Sequence, residues 1–224
     1  MSFELINSKL LVGFGTTCLL FLLTLVLSLP LGLLIMFGLK CPFKPIKWLC
    51  NVFVWAIRGT PLMLQLFVVF YVPSMLFGLR IFSFTSTTVF DGRFIAALIT
   101  FVINYACYFS VIFRGGVDNI SRGQFEAGKV LGMTKSQIFF KVILLQVIKT
   151  VIPPVSNEVI TLVKDTSLAR VISVAEIFFI NETEILTKAI VWPLFYIGVF
   201  FLLFVGLLTV LFNYIEKKLS YFKA

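Results

Sequence analysis

Ionisable side chains set inside apolar runs are costly in a bilayer, so the few that this chain carries there are its first candidates for chemistry. Arg58-Gly59-Thr60-Pro61 interrupts one such run, with Gln65 one helical turn beyond the proline. Pro61 has no N–H and biases Thr60 away from helix, which loosens the backbone at this point. Two readings of Arg58 stay open: an arginine snorkelling to the interface above a proline at a helix start, or the edge of a locally opened helix. A second group lies further on. Asn157, Thr161, Lys164 and Leu168 recur at offsets of three and four, with Glu158, Leu162 and Asp165 alongside, so each set shares a helical face. Lys164 and Asp165 either reach water at a helix end or line a path for a zwitterion. In the second case the carboxylate accepts from an α-ammonium and the lysine pairs an α-carboxylate.

Other chemistries are removed by what the chain lacks. It has no histidine, which excludes bis-histidine haem, histidine-based zinc sites and Ser-His or Cys-His catalysis. Cys18, Cys41, Cys50 and Cys107 form no Cys-x-x-Cys pair. Their placement in apolar spans and a cytoplasmic loop argues against structural disulfides. Gly123 to Lys129 matches Gly-x4-Gly-Lys, but Val130 stands where a nucleotide-binding loop needs Ser or Thr for Mg²⁺, and no strand pattern precedes it. The chain is therefore expected to hydrolyse no ATP, to hold no metal or cofactor, and not to be an enzyme. Asn181-Glu182-Thr183 spells a glycosylation sequon that nothing else in the sequence supports.

These groups have to be positioned by membrane helices. Hydrophobic residues make up 60% of the 224, and the mean hydropathy is +1.07, against about 45–50% apolar in soluble domains. No single aqueous core could hide that surface, so the lipid bilayer is the solvent. The net charge of +9 is interleaved with the apolar runs rather than gathered on one face, which speaks against nucleic acid as a partner. An all-α membrane protein follows, one domain with spans expected at 10–39, 53–77, 94–113, 142–163 and 189–215 and a cytoplasmic loop at about 118–141. The first run is too long for a signal peptide and is expected to stay as a permanent span. Arg114-Gly115-Gly116 is expected to end the third span, and Pro153-Pro154 to kink the fourth. The fourth span, broken by Lys149 and Glu158, is the one expected to face a partner or a watery path. Segments 80–93 and 164–188 read as external.

Charge sets the orientation. Lys40, Lys44, Lys47, Arg58, Arg114, Arg122, Lys129, Lys135, Lys141, Lys149, Lys217, Lys218 and Lys223 fall on one side, thirteen against six on the other. The amino end is thus expected outside, the carboxyl end and the 118–141 loop inside. That loop reads as helix, turn, helix. Ser121 with Gln124, and Thr134 with Gln137, have capping-box spacing. Gly132 between them supplies a helix stop. A compact helix on a short cytoplasmic loop is suited to docking a partner protein.

Glu126-Ala127-Gly128, Gly132 and the apolar Phe139, Val142 and Leu144 resemble the EAA motif of importer-type ABC permeases. In that family the segment seats in a cleft of the ATP-hydrolysing subunit. Gln124, Gln146, Pro153, Asn157 and Lys164-Asp165-Thr166-Ser167-Leu168 are similar to the permeases of polar amino-acid uptake systems, as is Arg58-Gly59-Thr60-Pro61 with Gln65. The resemblance runs over most of the chain and is densest from Arg58 to Leu168. Three positions depart from it: Gly128 stands for an alanine, Leu145 for a proline, and Val111 for a frequent glutamate.

The resemblance implies a type I importer permease in a bacterial inner membrane. It also implies two ABC ATPase subunits holding the ATP and Mg²⁺, a second permease copy or paralogue, and an extracellular or periplasmic amino-acid-binding protein. ATPase coupling is implied at Gln124, Glu126, Ala127, Gly128 and Gly132. The amino-acid substrate's path is implied at Arg58, Gly59, Thr60, Pro61, Gln65, Asn157, Thr161, Lys164, Asp165, Thr166 and Ser167. Two readings from other classes compete. A stand-alone ion- or proton-coupled carrier usually has internal repeats with paired broken helices, and none is visible. A non-transporting scaffold would have no use for Arg58, Lys164 and Asp165.

Overall fold

The computed structural model describes residues 3–78, 91–180, 182 and 191–219, and side chains from Asn7 onward. Every regular element among the described residues is helical. The expected outer connection, apart from 91–93, lies outside the described residues, as do the sequon's Asn181 and Thr183, the first residues of the fifth expected span, and the tail from Ser220.

Helix α1 (Phe3–Leu39) is followed by α2 (Lys44–Arg58), α3 (Leu62–Phe77) and α4 (Gly92–Asp118). Then come α5 (Arg122–Val130) and α6 (Lys135–Ile138), which passes through a π-turn (Phe139–Ile143) into α7 (Leu144–Asp165). A 3₁₀ segment (Thr166–Ile172) extends α7, and α8 (Trp192–Lys218) closes the described chain. Among the described residues, four helical runs are long and apolar enough to cross a bilayer: α1, α4, the run Lys135–Ile172, and α8. The expected second span is broken. Its two halves, α2 and α3, meet at 104°, and the pair makes a fifth crossing if counted as one.

Helices α1 and α4 pack against each other along much of their lengths. Small residues permit the approach, since helices in lipid associate through close packing rather than through a hydrophobic drive. A methyl group at Gly32 would sit 2.9 Å from Phe109 Cβ and 3.0 Å from the Ala106 carbonyl oxygen. Phe94, Phe101, Tyr105 and Phe109 of α4 are buried in the main core with Leu20 and Phe21 of α1, Leu66 and Phe70 of α3, and Val159, Leu162 and Val163 of α7. Gly115-Gly116 does not end α4 as expected. The helix runs through both to Asp118, because Gly116 is where α7 comes closest: a methyl there would collide with Val151. Val111, in place of a frequent glutamate, packs beside Leu39, Val54 and Cys107 at the α1–α2–α4 junction.

The expected helix–turn–helix of the loop forms, with one correction. Thr134 and Gln137 make both bonds of a capping box. Ser121 stands at the N-cap of α5 but its side chain makes no cap bond. Its expected partner is engaged elsewhere: Gln124 Oε1 accepts from Gln146 Nε2 of α7 at 3.3 Å. Gly132 sits at φ +71°. Its N–H reaches the Lys129 carbonyl at 2.9 Å and the Met133 N–H reaches that of Gly128 at 3.0 Å. That paired pattern terminates a helix with a left-handed residue.

Gly128 has its own reason. A Cβ there would stand 2.6 Å from Ile138 Cγ1 and 2.9 Å from its Cδ1, so Ile138 fills the space of an alanine methyl. Gly128→Ala should cost about 1–3 kcal/mol of α5–α6 packing, as overpacking does. On the population of the opened loop that is about fivefold or more. Tryptic cleavage at Lys129 and Lys135 of the purified chain should accelerate accordingly. A Gly128→Ala chain cut at the unaltered rate would contradict the packing account.

On the opposite end, Glu176 is fully buried. Its carboxylate accepts from the Phe178 and Phe179 N–H groups at 2.9 and 2.7 Å. The next residue, Ile177, lodges against Gly13 of α1 and donates its N–H to Thr17 Oγ1 at 3.3 Å. Burial outweighs the two amide donors and pushes the Glu176 carboxyl up to about 8.

Candidate functional site

The break between α2 and α3 opens a cavity of about 510 Å³, within the roughly 300–1,000 Å³ usual for small-molecule sites. Arg58, Gly59, Thr60, Pro61 and Leu62 form one wall, Asn104, Tyr105 and Tyr108 of α4 the second, and Glu158, Thr161 and Asp165 of α7 the third.

Each wall follows from its local sequence. Gly59 caps α2 through an N–H bond to the Trp55 carbonyl at 2.9 Å. Pro61 starts α3 as an extended N-cap at φ −62°, ψ 136°, a geometry its ring favours. The Thr60 hydroxyl turns back to the Ala56 carbonyl at 3.0 Å. On α4, residues 104, 105 and 108 stand on one face. On α7 the spacing 158, 161, 165 follows the i, i+3, i+7 stripe of a helix.

The charges come in both signs. The Arg58 guanidinium lies 4.9 Å from the centre of the Tyr108 ring, within cation–π range. Asp165 Oδ2 accepts from the Tyr105 hydroxyl at 2.7 Å, short as a bond to a carboxylate should be. Glu158 adds a second carboxylate, half-buried like Asp165. A site with a guanidinium on one wall and two carboxylates on another can take a ligand's carboxylate and its ammonium at once. From the second wall the Tyr105 hydroxyl meets Asp165 and the Tyr108 ring faces Arg58.

The structure divides the residues singled out by sequence. Arg58, Gly59, Thr60, Pro61, Thr161 and Asp165 meet in the cavity. Gln65 does not line it; its buried amide sits behind the corner, bonded to Ile57, Thr60 and Asn104. Asn157 is exposed elsewhere on α7. Lys164 and Ser167 line a different, more open recess with Phe178, Leu194, Ile197, Gly198 and Phe201. Thr166 is buried, its hydroxyl returning to the Val163 carbonyl at 2.6 Å. Lys164 and Asp165, adjacent in sequence, therefore serve different surfaces. The face expected from 157, 161, 164 and 168 is cut differently: Thr161 joins Glu158 and Asp165.

Asn104, Tyr105 and Tyr108 stand outside the sequence-derived site, and Glu158, read there only as a neighbour of Asp165 on its helical face, joins the lining. The available signal was polar tips at 104, 105 and 108 in a charge-free run, and a glutamate inside the fourth span, where polar groups tend to face protein or water.

At the other membrane side, Glu126 and Ala127 are exposed on α5, and Val130 and Leu131 are 87% and 77% exposed. Apolar side chains this open on a polar loop are available to a partner surface. Gln124 faces inward to Gln146, and Gly128 is buried against Ile138. Among the described residues no group of three or more acidic or sulfur side chains could hold a metal ion.

Comparison with known proteins accords with this geometry. A family model described as "Binding-protein-dependent transport system inner membrane component" matches residues 14–221. The chain is 39% identical over 157 residues to the L-cystine transport system permease protein TcyB of Bacillus subtilis (strain 168), which covers 70% of this chain and 62% of that protein. It is 31% identical over 210 residues to the probable glutamine ABC transporter permease protein GlnM of the same organism, covering 93% and 92% of the two. A solved structure described as "Crystal structure of an amino acid ABC transporter with histidines" superposes with a TM-score of 0.82 at 26% identity, over 95% of this chain and 94% of that one.

Proposed function

The chain belongs to the family of binding-protein-dependent transport system inner membrane components, and from that membership we propose that it is the permease subunit of an ATP-driven importer of a polar amino acid. The observation that carries the substrate side of this reading is the cavity at the α2–α3 break, with Arg58 facing Glu158 and Asp165 across about 510 Å³. The substrate's α-carboxylate pairs with Arg58 and its α-ammonium with Asp165. Glu158 is then left to a further positive group. TcyB is named for cystine, whose second end adds an ammonium and a carboxylate together; GlnM is named for glutamine, which adds neither. The cavity's excess of negative charge favours a substrate with a second cationic group and no second carboxylate.

The ATP side is carried by α5. Gly132 holds its end, and Glu126, Ala127, Val130 and Leu131 are presented to a separate ATPase, two copies per transporter. The Gln124–Gln146 bond ties α5 to α7, whose far end bears Glu158, Thr161 and Asp165. A second permease, a copy or a paralogue, and an external amino-acid-binding protein complete the assembly. The excess of lysine and arginine on the α5 side supports an external amino end and a cytoplasmic carboxyl end.

Reconstitution in vesicles with the ATPase and binding protein tests the reading. We expect ATP-dependent uptake of polar amino acids, highest for those with a second cationic group and at least tenfold lower for acidic ones. Uptake by this chain without an ATPase would make it a stand-alone carrier. Absence of any amino-acid uptake in the complete assembly would leave a scaffold.

A further inference from the structure

At the corner between α2 and α3 the Thr60 hydroxyl turns back to the Ala56 and Ile57 carbonyls at 3.0 and 3.3 Å, and the Gln65 side chain ties the end of α2 to α3 and α4. In an unbroken helix the Ile57 carbonyl would bond the N–H of residue 61, but Pro61 has none. A backbone carbonyl left open in an apolar span is expensive. Gln65 supplies the N–H that Pro61 lacks: its Nε2 stands 2.7 Å from the Ile57 carbonyl oxygen, 2.9 Å from Thr60 Oγ1 and 3.1 Å from the Thr60 carbonyl oxygen, with two hydrogens shared among the three acceptors. Two of these acceptors are carbonyl oxygens, which fixes the amide's orientation and turns Oε1 the other way. There it accepts from Asn104 Nδ2 at 3.0 Å. Gln65 and Asn104 are both buried, and Asn104 also lines the cavity, on the same face of α4 as Tyr108. One buried amide thus joins the end of α2, the start of α3 and the cavity wall.

We propose that Gln65 is a positioning residue that locks the α2–α3 corner and so aims Arg58 into the cavity. Arg58 is the last residue of α2, adjacent to the carbonyl that Gln65 holds. With the lock released, the 104° corner loses the Gln65–Asn104 hydrogen bond to α4, and Arg58 loses its place over Tyr108. Asn104 makes the lock sensitive to what occupies the cavity. This inference rests on the cavity being the substrate's site.

A double-mutant cycle tests it, read as maximal uptake by the complete transporter at saturating binding protein. Gln65→Met is close in size and suits an apolar span, while Gln65→Glu keeps the shape but gives a carboxylate with no N–H for the two carbonyls. Each should lower the maximal rate about tenfold, as should Arg58→Gln. Because Gln65 acts through Arg58, Arg58→Gln with Gln65→Met should be no worse than Arg58→Gln alone, within about twofold, whereas independent losses multiply. A hundredfold loss in the double variant, or normal rates in either Gln65 variant, would overturn the lock. So would absence of both Gln65 variants from the membrane, which would make Gln65 a folding residue. Normal uptake by Arg58→Gln would instead remove the cavity reading on which the lock depends.

Discussion

Replacing Gly132 with proline should abolish uptake while the permease remains in the membrane at its usual level. The residue sits at φ +71° and its N–H closes the cap on the Lys129 carbonyl. Proline fixes φ near about −65° and has no N–H, so it can meet neither requirement. The paired cap bonds that end α5 are lost together, and the helix no longer stops where Val130 and Leu131 are presented. The transmembrane packing does not involve this turn: Gly132 is exposed, with nothing within 4 Å of where a Cβ would stand. Glu126→Lys should have the same effect by a different route, reversing a charge on an exposed helix face without touching its fold. Both variants should also lose co-purification with the ATPase, or its stimulation by substrate. Wild-type uptake in both would end the assignment of α5 as the docking element.

Asp165→Asn should lower transport about tenfold or more, with little change in membrane abundance. The amide keeps the shape, and its oxygen still accepts from Tyr105, so the 2.7 Å bond has a successor. What disappears is the negative charge that meets the substrate's ammonium. Hydrogen bonds to charged groups are worth about 1.5–3 kcal/mol against about 0.5–1.5 for neutral ones, and about 1.4 kcal/mol is tenfold. A raised apparent KM would assign Asp165 to capture, a lowered maximal rate to gating. Glu182→Gln is the control. Glu182 pairs with Arg170 at 2.8 Å, with both side chains 40% or more exposed, and such surface pairs contribute about 0–1 kcal/mol. Its uptake should stay within about twofold of normal. Equal transport by the two variants would return Asp165 to a charge that merely reaches water.

The membrane class, the long apolar helices and the helix–turn–helix of the 118–141 loop were legible in the sequence because each rests on local physics. Apolar runs of spanning length, the Thr134–Gln137 capping box and the left-handed glycine at 132 need no distant partner to be read. The weakened helix at Thr60-Pro61 was legible for the same reason, since a missing N–H is a property of proline itself. Long-range contacts decided the rest. Gly115-Gly116 reads as a helix end, yet α4 continues because α7 packs on Gly116. Ser121 and Gln124 have capping spacing, yet Gln124 binds Gln146, twenty-two residues away. Lys164 and Asp165 are neighbours in the chain, but a helix turns about 100° per residue, and the placement of α4 and α8 assigns one to the cavity and the other to a separate recess. Tyr105, Tyr108 and Glu158 became site residues only when α2, α4 and α7 met at the corner. Sequence pattern fixes which face of a helix is polar. Which polar faces converge on one cavity is set by how the helices pack.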